Sequence, residues 1–156
     1  MNPTRRTIAQ AIVDAAHRVD ALGLVPARDG NLSARCAPDR VLVTRTFVRK
    51  REVTVRDLVE VDLSGRVIGE GKASTELGMH LAIYRARPDV HGVVHAHPPV
   101  AVGFASAGLG LTQCLMPEVA VALGGVPLTP YGTPGTPAPE ASIPGGVAGP
   151  HPFLVA

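Results

Sequence analysis

Aromatic residues make up only 3% of the 156-residue chain, and tryptophan is absent. A core must therefore be aliphatic, which a hydrophobic content of 46% can supply. Cysteine is nearly missing too: Cys36 and Cys114 are too few for a disulfide framework or a four-thiolate zinc site. Free thiols in a reducing compartment are the simpler reading. Neither sign of charge dominates, since 15 Lys and Arg against 13 Asp and Glu leave a formal +2. That bias is too weak to imply a nucleic acid or an anionic membrane as partner. No run is long and apolar enough to span a bilayer. Arg5-Arg6 does not open a twin-arginine signal, because Asp14, His17, Arg18 and Asp20 interrupt its apolar segment. The expectation is one mixed α/β domain over 1–156, in the cytoplasm.

Against these absences the chain has clear periodicity. Ile8, Ile12, Ala15, Ala16, Val19 and Leu22 recur at helical spacing between Thr4 and Leu22, with Gly23 as the stop. Leu32 to Arg35 and Arg40 to Thr44 read as a hairpin, and Val59 to Leu63 alternates as a further strand before a Ser64-Gly65 turn. Thr54 to Leu58 reads as a short helical turn, and Arg49 to Glu52 as a solvated charge run. Pro98-Pro99 opens an apolar, buried helix from Val100 to Ala107. Short strands are expected at Leu111 to Gln113 and Val126 to Thr129, with a helix over Val119 to Leu123.

The chemistry concentrates between Gly71 and His97. Ser74-Thr75-Glu76 precedes a helical pattern, which puts a carboxylate in the first helical turn. Gly92 to His97 reads as a buried strand, on which His95 and His97 project to one side. Two imidazoles so placed can grip a divalent metal, and Glu76 can act on whatever binds there. Each residue has an ordinary alternative. A strand histidine is more often a satisfied core residue, Glu76 complements a helix dipole, and His80 is a same-face neighbour one turn later. The metal is expected to be Zn²⁺, with Mn²⁺, Fe²⁺ and Co²⁺ suiting the same donors.

Ordered blocks through most of the chain resemble the class II aldolase/adducin family. They are Gly30-Asn31-Leu32-Ser33, Val41 to Thr44, Asp57 to Val59, Val61 to Gly65, Ser74-Thr75-Glu76, His80 to Tyr84, Val94 to His97, and Tyr131 to Thr136. The resemblance implies a central, mainly antiparallel sheet flanked by helices in three αβα layers, assembled as a homotetramer. It implies a metal on His95 and His97, with Glu76 as catalytic carboxylate and, in the empty enzyme, a further ligand. Gly30, Asn31, Ser74 and Thr75 become candidate ligands for a substrate phosphate, and a helix start suits an anion on physical grounds too.

Three departures qualify the resemblance. The family's Thr-Pro-Thr-Gly or Thr-Pro-Ser-Gly segment is Thr44-Arg45-Thr46-Phe47 here, which keeps two hydroxyls but replaces a glycine used for close approach. Arg28 and Arg45 add guanidinium groups suited to a carboxylate or phosphate. Glu118 stands where fuculose-phosphate aldolases have a proton-donating tyrosine, as an acid or base or as a plain helix cap. Lastly, His151 to Ala156 resembles the strand before the family's third histidine ligand, and the chain stops there. A truncated sequence, a site completed by Glu76, His95, His97 and water, and a degenerate site all fit that ending. The implied activity is a metal-dependent aldolase on a small phosphorylated or carboxylated sugar-like compound, through a metal-stabilised enediolate. Dehydratase, epimerase and decarboxylase variants, and a non-catalytic adducin-like interaction protein, are the alternatives.

Overall fold

A computed structural model describes residues 3–112, 121 and 126–130. Glu118, the Tyr131 to Thr136 block and the His151 to Ala156 segment singled out above lie outside the described residues. The chain divides into two compact units, Met1–Pro98 and Pro99–Ala156.

In the first unit, helix α1 (Pro3–Ala21) buries Ile12 and Ala16 of the expected stripe together with Ala9 and Val13, while Ile8, Ala15 and Val19 are half-buried beside them. Gly23, at φ 68°, ends it in a Schellman turn: its N–H donates to the Asp20 carbonyl, and that of Leu24 to the Val19 carbonyl. Leu22 falls outside the stripe because it sits past the last helical residue, and it is 62% exposed.

Strands β1 (Asn31–Ala37), β2 (Arg40–Thr44), β3 (Leu58–Asp62), β4 (Val67–Ile68) and β5 (Gly92–His95) form one sheet in the order β4-β3-β2-β1-β5. Every pairing is antiparallel. A turn of 3-10 helix, Val55–Asp57, leads into β3 and is closed by a reciprocal capping box between Thr54 and Asp57. Helix α2 (Leu77–Ala86) connects the β4 end of the sheet to β5.

The two faces are covered differently. Leu32 and Leu42 point to the α1 side and join Ile12, Val13 and Ala16 in one aliphatic cluster. Val41, Val43, Val59 and Val61 point the other way and pack with Leu81 and Tyr84 of α2. Helix, sheet and helix thus stack as three layers around an aliphatic core, as the scarcity of aromatics requires.

Three sequence expectations are corrected here. Lys50 is not a solvated charge: it is 2% exposed, within the turn Lys50–Glu52. Its Nζ donates to the carbonyls of Val48 at 2.9 Å and Arg28 at 3.3 Å, and burial pushes its pKa below the ordinary lysine value. Strand β5 is half-exposed rather than buried, with Val94 56% exposed beside the paired β1. In the second unit, helix α3 (Pro99–Ser106) leaves Val100 72% exposed and has no buried residue. Gly108, at φ 73°, ends α3 in the same type of turn as Gly23. Leu111 and Val126 then form an antiparallel bridge.

Candidate metal centre

Glu76 is the N-cap residue of α2, one position before the first helical turn. Ser74 sets that entry: its Oγ accepts the Glu76 N–H at 3.3 Å and its carbonyl accepts the Leu77 N–H at 3.1 Å. His95 closes β5, where it is the register partner of Asn31. His97 lies beyond the strand, held by its N–H to the Leu24 carbonyl at 2.8 Å. Strand alternation alone therefore does not aim it, yet the two rings converge, with Nε2 atoms 2.9 Å apart and ring centroids 4.7 Å apart. Glu76 Oε1 stands 3.8 Å from His95 Nε2. Burial pushes the His95 pKa below the ordinary imidazole value, with Glu76 opposing that shift and His97 adding to it.

Two neutral imidazole nitrogens this close share either one proton or one cation. Metal ligation needs the neutral ring, which burial of His95 favours. Among the described residues no three His, Cys, Asp or Glu side chains already stand at metal-holding distances. A tetrahedral site with bonds of about 2.0–2.1 Å separates its donors by about 3.4 Å. The 2.9 Å and 3.8 Å separations from His95 Nε2 bracket that value, each within about 0.5 Å of it. The donors present, two imidazoles and a carboxylate, fit a divalent transition metal.

The loop before β1 is locked against this cluster. Gly30 takes φ 70°, and a Cβ there would lie 2.7 Å from the His95 carbonyl and 2.6 Å from Val25 Cγ1. Only glycine fits. Arg28 is exposed in the same loop, while Asn31 is buried. Thr75 is exposed, Ser74 and Thr46 are half-buried, and the Thr46 N–H donates to the Lys72 carbonyl at 3.2 Å. The loop after β2 thus lies against the segment that enters α2.

Thr44 is a correction to the expected anion ligands. It is wholly buried, and its Oγ1 accepts the Leu32 N–H at 3.2 Å, which ties β1 to β2. Arg45 is held by Asp57 at 2.8 Å, which gives it a structural partner. Phe47, where the resembled motif has glycine, takes a left-handed backbone at φ 60°, and the residue is 71% exposed. A bulky residue in that region is strained by roughly 1–2 kcal/mol.

Beneath Glu76 runs a polar zipper that the sequence reading did not single out as a unit. Glu76, His80 and Tyr84 are spaced by four on α2, a rise of about 6 Å per step. Asn31, Ser33 and Arg35 are spaced by two on β1, about 6.8 Å per step. The near-equal steps let the two rows interleave. Asn31 Nδ2 donates to Glu76 Oε2, and Asn31 Oδ1 faces His80 Nε2. Ser33 Oγ lies 2.6 Å from His80 Nδ1 and 2.9 Å from the Tyr84 hydroxyl. Arg35 lies over the Tyr84 ring, 5.0 Å from its centroid, and donates to the Tyr84 carbonyl at 2.9 Å. The usable signal was an N-x-S-x-R strand opposite an E-x3-H-x3-Y helix, each polar row sharing one face.

A family model, the Class II Aldolase and Adducin N-terminal domain, matches residues 10–154 and so spans both compact units. Methylthioribulose-1-phosphate dehydratase of Methylococcus capsulatus is 36% identical over 95 residues, covering 61% of this chain and 47% of that protein. A 3,4-dihydroxyphthalate decarboxylase of Arthrobacter keyseri is 36% identical over 141 residues, 82% of this chain and 55% of that one. The chain thus spans about half the length of these relatives. Among solved structures, YgbL of Escherichia coli superposes with a TM-score of 0.88 at 26% identity, covering 97% of this chain and 75% of that one. L-fuculose-1-phosphate aldolase of Thermus thermophilus superposes with a TM-score of 0.81 at 30% identity, over 95% of this chain and 74% of that one. The antiparallel sheet between helices, the ordered blocks and the extent of the match agree: the chain belongs to the class II aldolase and adducin family.

Proposed function

We propose that this chain forms the metal-binding part of a lyase that acts beside the carbonyl of a small phosphorylated or carboxylated sugar-like substrate. One observation carries the reading: the Glu76 carboxylate stands between the Asn31 amide and the converging His95 and His97 rings. His95 and His97, with Glu76 as the adjacent carboxylate, would hold a divalent metal, most simply Zn²⁺. When bound, it supplies positive charge beside the substrate's oxygens. Glu76 moves the proton at the carbon next to the carbonyl. Gly30, the second amide hydrogen of Asn31, Thr46, Ser74, Thr75 and Arg28 take the substrate's anionic group, and Glu118 serves as a further acid or base. The same reading includes a homotetramer in the cytoplasm; among the described residues no helix is long and apolar enough to cross a membrane.

Dehydration moves ahead of C–C cleavage, because relatives from Methylococcus capsulatus, Acidiphilium cryptum and Gluconacetobacter diazotrophicus are named as methylthioribulose-1-phosphate dehydratases. Decarboxylation is the second reading. It is favoured by the decarboxylase relative's longer match and by the exposed Phe47 and Arg28, which suit an aromatic carboxylate. The test is metal content of the purified chain, then turnover of methylthioribulose 1-phosphate, L-fuculose 1-phosphate and 3,4-dihydroxyphthalate in parallel. Near-stoichiometric metal is expected, with water loss from the first substrate reduced by about 10²–10⁴-fold in Glu76→Gln. Turnover of another substrate alone reassigns the reaction. A chain that binds no metal returns the protein to the adducin-like, non-catalytic reading.

A further inference from the structure

The zipper under Glu76 has a direction. An ionised carboxylate can only accept, so Asn31 turns its Nδ2 to Glu76 and leaves Oδ1 toward His80. An oxygen acceptor requires a proton on His80 Nε2. A neutral imidazole carries one N–H, so Nδ1 accepts from the Ser33 hydroxyl, and Ser33 Oγ in turn accepts from Tyr84. Every proton in the chain therefore points toward Glu76, and hydrogen bonds so aligned polarise one another. His80 is 0% exposed and Asn31 4% exposed, so neither can exchange its partner for water.

We propose that His80 is a positioning residue: held as its Nε2–H tautomer by Ser33 and Tyr84, it fixes the Asn31 amide and through it the orientation of Glu76 toward the metal. The inference rests on the metal-site reading above and extends it to residues that touch neither metal nor substrate. Neutrality of the ring is consistent with its surroundings, since burial pushes the His80 pKa down to about 3, with His95 adding to the shift. The step-matched spacing explains why the control runs along β1 and α2. Here a helix row and a strand row of polar side chains interleave from Glu76 into the layer beneath α2.

The test has two arms, both on the 156-residue chain. Long-range ¹H–¹⁵N correlation of the ring nitrogens, on metal-free protein, should show His80 as a single neutral Nε2–H tautomer. A population of the Nδ1–H tautomer overturns the proposal. Co²⁺ titration then compares variants whose folding is checked by circular dichroism. His80→Gln keeps a donor at the Nε2 position and should bind within about threefold of wild type. His80→Leu keeps the bulk but not the donor, and should bind about 10–100-fold more weakly, as loss of a partner behind a ligand does. Equal binding by folded His80→Leu overturns the proposal, as would equal weakening in both variants. If His80→Leu does not fold, Ser33→Ala decides: it removes the partner behind His80 Nδ1 and should weaken Co²⁺ binding, and unchanged binding refutes the chain. His95→Ala separates this from the metal-site reading. Binding undiminished in that variant sinks the site itself, whereas weakened binding there with an unaffected His80→Leu sinks only the positioning role.

Discussion

The two faces of the sheet solve the same packing problem with different chemistry. On the α1 side, Ile12, Val13, Leu32 and Leu42 exclude water with side chains that carry no polar atom. Such a face tolerates substitution in proportion to the volume lost. On the α2 side, β2 and β3 contribute valines, but β1 contributes Asn31, Ser33 and Arg35. A buried polar row is stabilising only while each member keeps its partner. Both faces hold the fold together, and the polar row of β1 on the α2 side also holds a carboxylate in place. The difference implies that damage on the α1 side should appear as lost stability alone, and damage to the polar row beside Glu76 as lost function too.

The largest effect that sharpens this contrast is expected from Ile12→Ala, which should cost about 2–5 kcal/mol in urea unfolding. The Co²⁺ affinity of the folded fraction should stay at the wild-type value. A matched fall in affinity would show that the two faces are not separable.

A smaller effect should distinguish the α2 side by pH. The folded pKa of His80 lies near 3, below the ordinary 6.5. Between those values the unfolded chain takes up a proton that the folded chain refuses. The stability linked to this group is therefore fully present above about pH 6.5 and is lost as pH falls toward 3, with a limiting slope of about 1.4 kcal/mol per pH unit. Unfolding midpoints from pH 7 to 4.5 should fall less steeply in His80→Gln than in wild type. Identical slopes would mean that the buried ring does not resist protonation.

The smallest effect is expected at the outer end of the zipper. Arg35→Lys removes a guanidinium that spans the carbonyls of Pro38 and Tyr84, and should cost about 1 kcal/mol. Metal affinity should be unchanged, because Arg35 lies beyond Tyr84 and outside the proton path to Glu76. A loss of affinity here would extend the functional row to its exposed end.

Much of this contrast was legible in the sequence. The stripe of α1, the Gly23 stop, the β1–β2 hairpin and the alternation of β3 follow from local periodicity and turn chemistry, which act over a few residues. Glu76, His95 and His97 were legible as candidate residues, from a helix start and an H-x-H spacing, but their meeting in space was not. Less legible was anything whose partner lies far along the chain. Lys50 reads as one charge among Arg49, Arg51 and Glu52, and only the carbonyls of Val48 and Arg28 give it a reason to be buried. Thr44 reads as an available hydroxyl until β1 comes beside it and supplies the Leu32 N–H.

By itself, then, the sequence determined the elements and the aliphatic character of the core, since these depend on period, capping and composition. Tertiary structure alone decided that His97, past the end of its strand, meets His95, because the Leu24 carbonyl anchors its backbone. It also decided that Asn31 and His80, 49 positions apart, form the link beneath Glu76. The physical reason is the same in both cases. A buried donor or acceptor must find a partner, and the identity of that partner is settled only when distant segments pack.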